Sequence, residues 1–141
     1  MITGLVNAAL EATIPLLLQG SSGQSQLVDA VIDTGFTGFL TLPKVLVNTL
    51  QLPWIRRTVG VLADGSQRVF DVYEVIVTWD GKTRTVRVEE ADAIPLIGMS
   101  FLLGTDLRIS VVQGGLRNSL VRAYAARFRA AASDSTRINC R

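Results

Sequence analysis

The segment AVIDTGFTGFLTLP (residues 30–43) carries one acidic residue, Asp33, at the end of an apolar run and directly before Thr34 and Gly35. A buried carboxylate without a partner is costly, so something must solvate it, pair it or use it. Thr34 offers a hydroxyl, and Gly35 can donate its backbone N–H to the carboxylate. An acid that is held firmly and kept partly dry is suited to general acid–base chemistry.

One carboxylate cannot both accept and donate a proton to good effect, but two can when repulsion at short range makes them share one proton. One of the two would activate a water molecule, and the other would protonate a carbonyl oxygen of the substrate. The same residues could instead form a structural turn, in which Asp33 accepts hydrogen bonds from backbone N–H groups. The tripeptide alone leaves both interpretations open.

The composition excludes several other chemistries. The 141 residues include no His, which removes Ser-His-Asp and Cys-His catalysis and most zinc sites. The single cysteine, Cys140, cannot form a disulfide within the chain and has no His or Cys partner. We therefore expect no metal site. No uninterrupted apolar run of roughly 18 residues and no signal peptide is present, which predicts no membrane span and a cytoplasmic location.

The charge is distributed unevenly along the chain. Residues 117–141 hold six Arg and one Asp, a balance of +5, whereas residues 1–116 have a balance of −3. A basic end could contact nucleic acid or acidic lipid. No aromatic platform or nucleic-acid motif accompanies it, so we expect a solvated face and do not expect a nucleic-acid partner.

Short apolar or alternating runs separated by turn signals predict an all-β domain with one or two short helices. Asp64-Gly65 and Asp80-Gly81 predict two hairpin turns of the same type. The segment 116–131 fits either a helix, with an apolar stripe from Leu120 to Phe128, or a strand, and residues 133–141 are predicted to be disordered. Strands are predicted within 5–18 and at 26–33, 38–42, 57–63, 67–79, 82–90 and 107–113, a helix within 43–52, and a short strand followed by a helix within 93–104.

Together these features resemble the retropepsin-like (clan AA) aspartic proteases, in the small single-domain form found in bacteria and archaea. DTGFTGFLTLP resembles the catalytic loop of that family. Some sixty residues later, PLIGMSFL resembles its second element, in which two hydrophobic residues and a Gly lead into a helix. The hairpin with Asp64-Gly65 at its tip lies between the two, where the family has its flap. The resemblance covers roughly residues 5–112 and implies a closed β-barrel, one half of an acid protease.

The resemblance also implies roles for individual residues. Asp33 would be the catalytic carboxylate, Thr34 would bond through its hydroxyl to the loop of a partner chain, and Gly35 would support the carboxylate through its N–H. The flap tip would close over a peptide and exclude water, and a further set would pack beneath the catalytic loop. The flap tip consists of Ala63, Asp64, Gly65 and Ser66, and the supporting set consists of Leu96, Ile97 and Gly98.

Only one DTG is present, so a chain of this length would have to pair with a copy of itself. The resemblance therefore implies a twofold homodimer with its active site on the dimer axis. We expect residues 1–116 to form the protease domain. Residues 117–141 would be a basic extension that supplies a dimer-interface element and then a disordered tail, and we match this extension to no element of the family. The resemblance implies no cofactor.

The predicted function is that of a homodimeric aspartic endopeptidase, with two Asp33 residues activating water and an extended peptide bound under the flaps. Because few charges lie near the motifs, mostly apolar substrate pockets are expected. The alternative is a dimerisation or peptide-binding module with the same fold that cleaves little or nothing. A weaker third hypothesis is a nucleic-acid contact made by the basic end. Many family members have Ala or Ser after DTG, where this chain has Phe36.

Overall fold

A computed structural model describes residues 1–112 and 120–125 of the chain. Their elements, in chain order, are β1 (Ile2–Val6), β2 (Ala12–Gln19), β3 (Ser25–Ile32), β4 (Leu40–Leu42), α1 (Lys44–Thr49), β5 (Trp54–Val61), β6 (Gln67–Trp79), β7 (Lys82–Glu90), β8 (Leu96–Ile97), α2 (Met99–Leu102), β9 (Thr105–Ser110) and β10 (Leu120–Ala125).

Six of the strands close into a barrel in the order β6-β7-β4-β8-β3-β2, and a pairing between β2 and β6 completes the circle. This last pairing aligns Leu18 with Val77, and both side chains are fully buried. In β7, Val86 and Val88 are buried while Arg87 is exposed, which is the alternating pattern of a strand with one solvent-exposed face. The all-β class, the closed barrel and the short helices predicted from the sequence are confirmed.

The two-residue strand β8 lies between β3 and β4, parallel to β3 and antiparallel to β4. On one side the backbone N–H of Val31 donates to the carbonyl oxygen of Pro95, at 2.9 Å. On the other side Leu40 pairs with Ile97, and both are fully buried. The end of β3 and the start of α2 are therefore neighbours, although some sixty residues separate them along the chain.

Outside the barrel, the sheet continues from β2 through β1 and β10 to β9. The segment whose sequence fitted a helix or a strand contributes β10, whose side chains Val121 and Ala123 are buried while Arg122 is exposed. Pairing with β1 and β9 decides between the two possibilities. The domain boundary predicted after residue 116 and the dimer-interface role of the segment that follows stay predictions.

Pro15 lies in the middle of β2, where a missing backbone N–H would normally interrupt a sheet. One edge of β2 pairs with β3 throughout. The other edge pairs with β1 at Ala12 and Thr13, and with β6 only from Leu17 onwards. Pro15 therefore occupies the gap between these two partners, which explains how a proline is accommodated in a central strand.

The two hairpin turns differ, so the expectation that they are of one type is wrong. Asp80 and Gly81 both have positive φ, 51° and 74°, and connect β6 directly to β7 in a two-residue turn. The turn between β5 and β6 is longer and covers residues 62–66, where only Gly65 has positive φ, 82°. An aspartate tolerates the left-handed region, which makes the shorter turn possible.

Several predictions fall outside the described residues: the apolar position Phe128, Cys140 and the disordered tail at 133–141. Within the described ranges, no helix is long and apolar enough to cross a membrane.

Candidate active site

Asp33 is the first residue after β3, at the point where the strand leaves the sheet. Its backbone N–H donates to the carbonyl oxygen of Ile97 at 2.9 Å, and its carbonyl oxygen accepts from the N–H of Phe36 at 3.1 Å. The N–H of Gly35 donates to Asp33 Oδ1 at 2.9 Å. The carboxylate is thus oriented by its own loop and remains partly open to solvent.

The loop after Asp33 is tied to the start of α2 through backbone groups. These contacts fix residues 36–39 to a second chain segment, so the loop is held at both of its ends. The four hydrogen bonds run from Gly98 N–H to Phe39 O (2.9 Å), from Met99 N–H to Phe36 O (2.8 Å), from Ser100 N–H to Gly38 O (3.1 Å) and from Ser100 Oγ to Thr37 O (2.5 Å).

Phe36 packs its ring over two glycines. A Cβ added to Gly98 would lie 2.1 Å from the carbonyl oxygen of Gly38 and 2.5 Å from the Phe36 ring. A Cβ added to Gly38 would lie 2.4 Å from the same ring. The structure therefore gives Phe36 a packing role that the sequence did not reveal, and it explains why both neighbouring positions are glycine.

The remaining predicted residues of the loop and its support occupy different environments. Thr34 is exposed, and its hydroxyl has no hydrogen-bond partner within residues 1–112 and 120–125. Ile97 is fully buried, and Leu96 donates its N–H to Thr41 Oγ1 at 3.2 Å. The strand β8 therefore lies against the loop, with Ile97 accepting the hydrogen bond from Asp33 N–H, while Thr34 is exposed to solvent.

The β5–β6 hairpin ends in a turn that is pinned by its own aspartate. Asp64 Oδ1 accepts hydrogen bonds from the Ser66 hydroxyl at 2.6 Å and from the Ser66 N–H at 2.9 Å. These bonds, the hydroxyl above all, lower the pKa of the exposed Asp64 carboxyl. The backbone N–H of Gly65 closes the turn by donating to Leu62 O at 2.9 Å. Ala63 lies within the same turn, so the four predicted tip residues are together.

A second aspartate, which the sequence analysis did not identify, fastens the base of this hairpin. Asp71 Oδ1 accepts from Trp54 Nε1 at 3.0 Å and from Arg57 Nε at 3.1 Å. These two donors lower the pKa of the Asp71 carboxyl, and the Trp54 indole has the larger effect. The local sequence does not distinguish Asp71 from Glu74, the other acid of β6, and the partners of Asp71 become visible only once β5 and β6 are aligned.

A cleft of about 440 Å³ separates the loop after Asp33 from the hairpin. The tip residues 63–66 and Asp33 itself are not among the residues that line it, so the hairpin strands rather than the tip form its wall. Its lining comes from the loop, from the hairpin and from the strand ends beneath them: Gly35, Phe36, Thr37, Gly38, Thr41, Gly60, Val61, Leu62, Arg68, Phe70, Glu89, Ala91, Asp92 and Ala93.

Charged side chains line this cleft together with apolar ones: Arg68, Glu89 and Asp92. The apolar substrate pockets expected from the sequence stay a prediction. Arg68 and Asp92 are exposed, whereas Glu89 is half-buried, and burial raises the pKa of its carboxyl. The neighbouring Glu90 accepts a hydrogen bond from the Tyr73 hydroxyl at 3.1 Å. No such partner meets the Glu89 carboxylate in the part of the chain that the structure describes. The sequence analysis missed this residue.

Comparison with solved structures identifies the fold. The retropepsin-like aspartic protease from Rickettsia conorii superposes with a TM-score of 0.55 at 19% identity, covering 89% of this chain and 91% of the other. The EIAV protease complexed with the inhibitor HBY-793 gives a TM-score of 0.51 at 19% identity, covering 69% and 89%. No protein-family model and no curated protein matches the sequence. The predicted retropepsin-like fold is confirmed.

Proposed function

We propose that this retropepsin-like chain is one subunit of an aspartic endopeptidase, in which two Asp33 carboxylates, one from each chain, activate water to hydrolyse a peptide bond. One observation carries the proposal. Asp33 directly follows β3 of the barrel, in a loop that β8 and α2 hold in place, and its carboxylate is oriented by Gly35 N–H. Two solved structures with this fold are named as proteases, one of them as an aspartic protease.

The chemistry requires two carboxylates that share one proton. The ionised Asp33 takes a proton from a water molecule as the water oxygen attacks the peptide carbonyl carbon. The protonated Asp33 gives its proton to the carbonyl oxygen, which yields a neutral tetrahedral diol. The C–N bond then breaks as the amide nitrogen receives a proton from one carboxyl group of the dyad, while the other carboxylate takes a proton from a hydroxyl of the diol. The products are a carboxylic acid and an amine, and the dyad again holds one proton for the next cycle.

Pairing of two chains supplies the second acid. Each chain has one DTG sequence, so a single chain cannot hold a proton-sharing pair of this kind. The exposed Thr34 hydroxyl, beside Asp33, is free to donate to the corresponding loop of a second copy. A twofold axis near the two loops would bring the acids together and repeat this bond symmetrically.

The cleft between the loop and the hairpin is the proposed place for the substrate. An extended peptide can align beside strands and use its main-chain groups for binding. The β5–β6 hairpin would act as the flap, with residues 63–66 at its tip, and would exclude water when it closes. Leu96, Ile97 and Gly98 would keep the catalytic loop in position beneath the peptide.

Cleavage of a mixed peptide library at roughly pH 3 to 8, the range open to a shared-proton dyad, tests the proposal. Asp33→Asn should reduce the rate by at least about a thousandfold, because asparagine cannot exchange protons. Asp29→Asn, which removes an exposed acid from β3, should leave cleavage intact. Light scattering would establish whether all three proteins are dimers.

Equal cleavage by wild type and Asp33→Asn would refute the assignment of the catalytic residue. A dimeric wild type that binds library peptides yet cleaves none of them at any pH would favour the peptide-binding module instead.

A further inference from the structure

We propose that Glu89 is a specificity-determining residue of the cleft, where its carboxylate pairs with a Lys or Arg side chain of the bound peptide. This inference rests on one part of the proposed function, that the cleft holds an extended peptide. It adds the chemical class of side chain that the cleft selects.

The position of Glu89 on the barrel directs it towards the cleft. In β7 the buried residues Val86 and Val88 alternate with Arg87 and Glu89, so Glu89 belongs to the outward face of the strand. In register it lies between Val72 of β6 and Thr41 of β4, which are 2% and 6% exposed. Glu89 is therefore a charged, half-buried side chain beneath the hairpin, and its neighbours in register on both adjacent strands are buried.

Glu89 also separates two cavities. It lines the cleft of about 440 Å³ and an adjoining cavity of about 180 Å³, which Arg56 and Arg87 also line. Among the described residues, no arginine lies within 4.0 Å of the Glu89 carboxylate as an ion-pair partner, and no hydrogen-bond donor reaches it. The half-buried acid consequently has hydrogen-bonding capacity that none of the described residues uses.

The rest of the cleft fits a long side chain with a cationic end. Its apolar lining includes Phe36, Leu62 and Phe70, which can contact a methylene chain such as that of lysine. The charges that line it are one cation, Arg68, and two anions, Glu89 and Asp92. The Arg68 guanidinium lies 5.9 Å from the centroid of the Phe70 ring, near the hairpin wall. A cationic ligand group would offset the net negative charge, whereas an anionic one would increase it.

An ion pair between Glu89 and a ligand cation would contribute more binding free energy here than on a fully exposed surface. A carboxylate that is already partly removed from water loses little further hydration when a ligand covers it, and a charge-assisted hydrogen bond forms at once. Neutral peptide side chains would leave the acid covered and unpaired, which is unfavourable. The expected discrimination is therefore roughly tenfold or more in favour of a cation.

Peptide binding to the Asp33→Asn protein tests this inference without hydrolysis. The probes are an apolar host peptide with a single lysine moved through successive positions, each matched by norleucine, which has a similar stem and no charge. Fluorescence anisotropy gives the dissociation constants. At one position lysine should bind roughly tenfold more tightly than norleucine. Adding Glu89→Gln should abolish this preference, and adding Glu74→Gln, which removes an exposed acid of β6 outside the cleft, should preserve it.

The outcomes separate this inference from the proposed function. No lysine preference at any position, a preference that survives Glu89→Gln, or no binding of any probe would overturn the role of Glu89. Wild-type protein assayed for cleavage of the same peptides decides the endopeptidase assignment on its own. A Glu89-dependent lysine preference without cleavage would support the inference and refute the enzyme. Circular dichroism melts of each variant would show that every protein compared is folded.

Discussion

The ionised form of the Glu89 carboxyl is less favourable in the folded chain than in an unfolded chain, because burial removes part of its hydration. Burial alone therefore raises the pKa of this group above the ordinary value of 4.5. The folded state therefore binds a proton more readily than the unfolded state does. Its stability decreases as the pH rises from about 4.5 through the higher folded pKa, and the penalty persists at neutral pH. A residue that destabilises the free protein is retained more easily when it serves binding.

Glu89→Gln should consequently stabilise the protein at pH 7, and the gain over wild type should shrink as the pH falls towards 4.5. Water screens a half-buried group, so the increase in Tm should be less than roughly 4 °C. Thermal melts between pH 4 and 8 would measure it, with Glu74→Gln as a control for the lost charge. A variant less stable than wild type at neutral pH would show that Glu89 has a stabilising partner in the free protein.

Gly98→Ala should destabilise the protein by at least about 2–3 kcal/mol, because the new Cβ would lie 2.1 Å from a backbone carbonyl oxygen that cannot move aside easily. Urea unfolding would measure the loss. Gly35→Ala is a matched comparison, since its Cβ would meet only Asp33 Oδ1, at 3.3 Å, and it should cost much less. Similar losses for the two variants would contradict the packing described around Phe36.

Sequence alone could predict the residues whose partners are local. Asp33 and Gly35 are two positions apart, and their hydrogen bond follows from the loop itself. Glu89, Asp71 and Phe36 could not be assigned, because what each contacts depends on strands or loops that meet only in the folded barrel. Their residue types are compatible with an ordinary solvated or buried position.

At the scale of elements, the hairpin combines a fastened base with an exposed tip. Asp71 connects Trp54 and Arg57 at the base, whereas the turn at the tip depends on Asp64 and its bonds to Ser66. These tip bonds are local and solvent-exposed, so they shape the turn without contributing much to global stability. The proposed flap would need this division in order to open and close.

Asp64→Ala should increase amide hydrogen exchange at Gly65 and Ser66 and raise KM several-fold, because the tip would lose its preferred turn. The Tm should change by less than about 2 °C, as expected for an exposed site. Hydrogen exchange and peptide cleavage kinetics would test both effects. Asp106→Ala, on exposed β9, controls for the loss of an acid. Unchanged exchange at the tip would mean that the turn does not depend on Asp64.

Most elements could be predicted, because turn residues and the alternation of apolar and polar residues along a strand are local signals. The segment that forms β10 could not be decided in advance, because its apolar residues fit both a helical and a strand period. Backbone pairing with β1 and β9 settles it. The position of β8 between β3 and β4 likewise depends on long-range pairing. The resemblance to a known family implied only that Leu96, Ile97 and Gly98 pack beneath the loop.

For the whole molecule, the proposed dimer makes activity dependent on concentration. Specific activity should fall on dilution as dimers dissociate, because a monomer holds only one Asp33. Thr34→Val removes the exposed hydroxyl and should raise the dimer dissociation constant roughly tenfold or more, since symmetry removes two hydrogen bonds at once. Thr37→Val, at an exposed threonine of the same loop, should have little effect on the dissociation constant. Sedimentation and cleavage over a dilution series would measure both properties.

Cleavage per mole of chain that stays constant while the protein sediments as a monomer would refute the shared dyad. An unaltered dissociation constant for Thr34→Val would instead show that other contacts hold the dimer.

The insertion of β8 beside Asp33 also determines when during synthesis a working site can exist. Asp33 is translated some sixty residues before Ile97, whose carbonyl oxygen accepts from its N–H, and before the helix that holds its loop. At about 5–20 residues per second, this interval lasts roughly 3–12 s on the ribosome. A nascent chain therefore carries Asp33 before it can position it, and the proposed chemistry could begin only after the barrel is complete.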